Sequence, residues 1–74
     1  MTVIFLHDLN AAGFQDLDAL IAEADNRYGT AIADRLCPHN GPLGSSQEVA
    51  AILPDDMPAE DMELIGNLVT LSDY

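Results

Sequence analysis

The chain has 74 residues, 49% of them apolar, and its 13 Asp and Glu face only 2 Lys and Arg, which gives a formal net charge of −11. This length predicts one small domain over residues 1–74. The charge argues against direct binding to nucleic acid or to an anionic membrane, because both are bound through Lys and Arg that neutralise phosphates.

Cysteine usage and hydropathy together favour a cytoplasmic protein. The single cysteine, Cys37, cannot form an internal disulfide, which is typical of a reducing compartment. The apolar start, Met1 to Leu6, is too short for a signal peptide and lacks a basic leader. No apolar run reaches the roughly 18 residues that a membrane-spanning helix needs. We therefore expect no membrane span.

The N-terminal segment Thr2–Leu6 is predicted to be extended. Its β-branched and aromatic residues are typical of a short buried strand, although an extended arm has the same composition. A single strand is not stable alone, so it needs a partner strand from this chain or from a second copy. The composition of residues Asn10 to Gly13 then predicts a turn.

The clearest helical pattern follows, from Phe14 to Arg27. Its apolar residues form a stripe at helical spacing, which predicts a face buried in the core. Gly29 is a plausible C-terminal stop, and Glu23 is placed to pair with Arg27 one turn later. The stripe consists of Phe14, Leu17, Leu20, Ile21, Ala24 and Tyr28.

Two shorter helices are predicted in the middle of the chain. The first, Ala31–Cys37, would be capped by Thr30 and ended by a proline. The second, Ser46–Leu53, would follow a capping box formed by Ser45 and Glu48. The Pro- and Gly-rich residues 38–44 between the two helices predict a loop.

The last predicted helix runs from Pro58 to Leu71. Pro58 suits a first helical position, and the acids that follow it suit the first turn. A hairpin with its turn at Gly66-Asn67 is the alternative, but the long amphipathic pattern favours the helix. The apolar side of that pattern comprises Met62, Leu64, Ile65, Leu68, Val69 and Leu71.

These elements together predict a mainly α fold, a small bundle of about four short helices with an N-terminal extended segment or strand. The alternative is an α+β fold in which Thr2–Leu6 pairs with a C-terminal strand.

No residue pattern points to catalysis or to a cofactor. The only soft metal ligands are Cys37, His39 and His7, and they lack the two spaced pairs of a structural zinc site. Cys37 lies at a predicted helix C-terminus, where the helix dipole opposes thiolate formation. We therefore expect a protein that is not an enzyme and that holds no metal.

The acidic residues are the strongest functional signal. With no Lys in the chain, nearly all of them lack a balancing cation, which raises self-repulsion in a small domain. No single helix reproduces the charge spacing of DNA, so only acids pooled on one folded face, or on a dimer, could mimic it. The predicted partner-binding residues are Asp16, Asp18, Glu23, Asp25, Asp55, Asp56, Glu60, Asp61 and Glu63.

Size, charge and lack of catalytic residues are analogous to those of small acidic phage inhibitors, such as anti-CRISPR and anti-restriction proteins. By that analogy the chain would dock on a basic, nucleic-acid-binding surface of a larger protein and block it. The alternative is a structural or assembly module that forms a homodimer, or joins a larger complex, through its apolar helix faces. In that case the acids would only keep the protein soluble.

Overall fold

The computed structural model describes residues 1–39 and 48–73, which form an α+β fold. Within these residues, four helices pack on a four-stranded antiparallel sheet. In chain order the elements are β1 (Thr2–Phe5), α1 (Leu6–Ala11), α2 (Leu17–Tyr28), α3 (Thr30–Ala33), β2 (Cys37–Pro38), β3 (Val49–Leu53), α4 (Ala59–Gly66) and β4 (Ser72–Asp73).

The sheet has the strand order β2-β3-β1-β4. Its centre is the antiparallel pair β1 and β3, in which Val3 lies opposite Ile52 and Ile4 lies opposite Ala51. The register shifts after Ile4, so that Phe5 pairs with Val49. The edge strands β2 and β4 are two residues long, which leaves little free edge for another chain.

The hydrophobic core lies on one face of this sheet. Ile4, Ala51 and Leu53 project from the same face, because side chains alternate along a strand and Ile4 is paired with Ala51. All four helices bury residues against them, which places the helices in a single layer over that face. The helical contributions are Leu9 from α1, Leu20 and Ala24 from α2, Ala33 from α3 and Ile65 from α4.

The prediction of a mainly α bundle is wrong, and the α+β alternative fits the structure. β1 pairs with the C-terminal strand β4, with Thr2 opposite Asp73 and Val3 opposite Ser72. The sequence pattern of Thr2–Leu6 therefore predicted a strand correctly, although the strand itself ends at Phe5. The pairing with β3 was not predicted, and it makes β1 a central strand of the sheet.

The prediction of a helix over Ser46–Leu53 is wrong, and this error is the reason that the sheet was not predicted. Val49–Leu53 is strand β3, whose burial alternates between buried and half-buried residues. A five-residue apolar run fits a buried strand as well as a helix segment. This run forms a strand because it pairs with β1 on one side and with β2 on the other. Ser45, the first member of the predicted capping box, lies outside the described residues.

Helix α2 confirms the predicted apolar stripe, and its start shifts to Leu17. Leu20 and Ala24 are fully buried, and the other stripe residues pack against the core. The predicted stop at Gly29 is confirmed, with φ 99° and ψ 163°. Only glycine adopts this conformation without strain. The same residue is the N-cap of α3, so the prediction that Thr30 caps the next helix is wrong.

Two predicted helices are shorter than their patterns suggested. The helix predicted over Ala31–Cys37 stops at Ala33, and Cys37 belongs to β2. The helix predicted to reach Leu71 stops at Gly66, because glycine is a poor helix former. Neither the full helix nor the alternative hairpin is therefore correct. The described turn near Gly13 agrees with the prediction, but α1 extends to Ala11.

Candidate partner-binding surface

Several of the predicted acids at the start of α2 and within it form hydrogen bonds or ion pairs inside the protein. Asp16 is the N-cap, and its Oδ1 accepts a hydrogen bond of 3.0 Å from the backbone N–H of Ala19. The side chain of Asp25 accepts a 2.6 Å hydrogen bond from the hydroxyl of Thr30. Of the four predicted acids here, Asp18 is exposed and makes no such bond to a described residue.

The predicted pairing of Glu23 with Arg27 is confirmed. The Arg27 guanidinium donates a hydrogen bond to Glu23, which raises the pKa of Arg27 further above its ordinary value. One of the chain's two cations is thereby committed to a local contact. The α2 acids are consequently not all available to a partner.

The predicted acids form two groups along the chain, one over residues 16–25 and one over residues 55–63. The second group has fewer internal contacts. Asp55 and Asp56 lie in the exposed turn between β3 and α4, and Glu60 and Asp61 lie in the first turn of α4. Acid in a first helical turn is favoured by the helix dipole. Within the described residues, the side chains of Asp55, Asp56, Glu60, Asp61 and Glu63 form no ion pair or hydrogen bond.

Helices α2 and α4, which carry most of these acids, lie over the same face of the sheet. Leu20 of α2 and Ile65 of α4 join one core cluster with sheet residues that all project from one face. We use the name acidic helical layer for the nine predicted acids, which lie in or beside α2 and α4. Helices α2 and α4 make little direct contact with each other.

The other sheet face differs in charge. A row of side chains crosses this face through paired positions of all four strands, and none of them is charged. The row consists of Ser72, Val3, Ile52 and Cys37. This row of the outer sheet face therefore carries no charge, and its central residue Val3 is fully buried.

Two substitutions at Asp16 can distinguish the effect of its capping hydrogen bond on stability from the effect of its charge. Asp16→Ala should lower the free energy of unfolding by about 1 kcal/mol, because the first turn of α2 loses its cap. Asp16→Asn removes the same charge but keeps a capping oxygen, so it should cost far less. Urea unfolding followed by circular dichroism measures both variants, and equal losses would contradict the capping role.

The residues considered for metal binding are not brought together. Cys37 is exposed, and its thiol lies 3.7 Å from the backbone carbonyl oxygen of Arg35. The Nε2 of His7 lies 3.3 Å from Asp8, and the His7 ring stacks on Phe5. Over the described ranges 1–39 and 48–73, no three His, Cys, Asp or Glu side chains are grouped so that they could hold a metal ion.

Two small cavities open on the described surface. One, of about 240 Å³, lies between the C-terminal ends of α1 and α4 and is lined in part by Asp8 and Gly66. The other, of about 230 Å³, lies where α2 begins and β3 enters the sheet, and it includes Asp16. We call it the sheet-end cavity, and it is lined by Leu6, Asp16, Leu17, His39, Glu48, Val49 and Ala50.

The sheet-end cavity includes two polar residues, Glu48 and His39, that sequence reasoning did not assign to a site. Glu48 was interpreted as part of a helix cap and His39 as a loop residue. The alternating pattern Val49–Leu53 is the signal that could have located them, because a strand there places Glu48 at its entrance.

Comparison of the chain with protein-family models, with curated proteins and with solved structures gives no match. None of the helices in the described part of the chain is long and apolar enough to cross a membrane. The function is therefore inferred from the charge, burial and geometry of the chain's own residues.

Proposed function

We propose that this chain is a non-enzymatic, acidic binding protein of the cytoplasm. It docks its acidic helical layer on a basic, nucleic-acid-binding surface of a larger protein and blocks that surface, in the manner of phage anti-CRISPR or anti-restriction inhibitors. The observation that carries the proposal is the group Asp55, Asp56, Glu60, Asp61 and Glu63, which has no internal counter-charge among the described residues.

Electrostatics gives this surface a physical role. Like charges on one side of a small domain repel each other and lower its stability, and a basic partner relieves that repulsion when it binds. Complementary charge also speeds association and suppresses wrong partners. The uncharged row on the opposite sheet face supports docking through the acidic helical layer rather than through that face.

The alternative, a homodimer or assembly module built on apolar helix faces, has less support. Leu20 and Ala24 of α2 and Ile65 of α4 are already buried in the chain's own core. Among the described residues, the only large hydrophobic side chain that is exposed is Met1. Little apolar helix surface therefore remains for a second copy.

A pull-down with charge-reversed variants tests the proposal. Tagged protein is incubated with lysate of the source cell, and the bound proteins are eluted by increasing NaCl and identified by mass spectrometry. We expect a nucleic-acid-binding protein that elutes as salt screens the acids. The double variant Asp18→Lys/Glu63→Lys has one change in each acidic group, and it should no longer capture this protein.

The matched control is Asp34→Lys/Asp73→Lys, which changes net charge equally at two exposed acids that are not among the nine. Asp73→Lys also removes the 3.6 Å contact of Asp73 with the N-terminal amine. The control variant should retain most of the binding. If both variants retained the partner, or if both lost it to the same degree, no specific role of the acidic helical layer would remain.

A further inference from the structure

We draw no further inference here: the strongest candidate, the uncharged patch on the outer face of the sheet around Val3 and Ile52, lies opposite the face on which the described helices pack, and nothing in the structure shows what covers it.

Discussion

Leu20→Ala is expected to lower the free energy of unfolding by about 2–5 kcal/mol. Leu20 is fully buried in the core cluster, where α2 packs against the sheet, so truncation removes apolar burial and leaves a cavity. Because small domains have only about 5–15 kcal/mol of stability, the loss is a large part of the total. Each kcal/mol should lower Tm by roughly 4–8 °C in a domain of this size.

Asn26→Ala is the matched control on the same helix. Asn26 is exposed, and a substitution there should change the free energy of unfolding by no more than about 0.5 kcal/mol. Thermal and urea unfolding of both variants, followed by circular dichroism, provide the comparison. A Leu20→Ala variant as stable as the control would mean that α2 does not bury its stripe in the core.

Ile52→Cys is expected to form a disulfide with the native Cys37 in an oxidising glutathione buffer. The two residues are opposite each other on β2 and β3, and paired positions in an antiparallel sheet have Cα separations within the range that a disulfide spans. Because the bridge closes a loop of about 15 residues, it should stabilise the fold by about 3 kcal/mol. Mass spectrometry and thiol titration detect the bond.

Ala51→Cys serves as the control for this cross-link. Its side chain projects from the opposite face of β3, toward the core, so it should remain a free thiol beside Cys37. If residues 46–53 formed a helix, as the sequence pattern predicted, position 52 would not be paired with Cys37 across two strands, and no disulfide would be expected. Failure of Ile52→Cys to bridge in the folded protein would contradict the pairing of β2 with β3.

The sequence predicted those elements in which the local pattern is long or chemically distinct. The stripe of α2 spans several turns, and Gly29 supplies a stop that few other residues could replace. The segment Val49–Leu53 was misassigned because its identity depends on strands that are distant in the chain. Local periodicity carries no information about such pairing, so tertiary context decided the fold class.

The candidate site was predictable in composition but not in arrangement. The charge pattern predicted Asp18 and the group 55–63 as candidates, but it did not show that α2 and α4 pack on one sheet face. The roles of Asp25 and Asp16 in hydrogen bonds were also hidden, because they depend on Thr30 and Ala19 being placed by the fold. The sheet-end cavity required β3, so it could not emerge from a mainly α prediction.

Competition with nucleic acid is the most direct measurement of the central claim, that the acidic helical layer occupies a nucleic-acid-binding surface. The affinity of the captured partner for its nucleic acid is measured by fluorescence anisotropy at fixed salt, with increasing amounts of this chain. We predict that the apparent Kd rises in proportion to added protein, and that the Asp18→Lys/Glu63→Lys variant has little effect. An unchanged Kd, with chain and nucleic acid bound together in one complex, would contradict the claim.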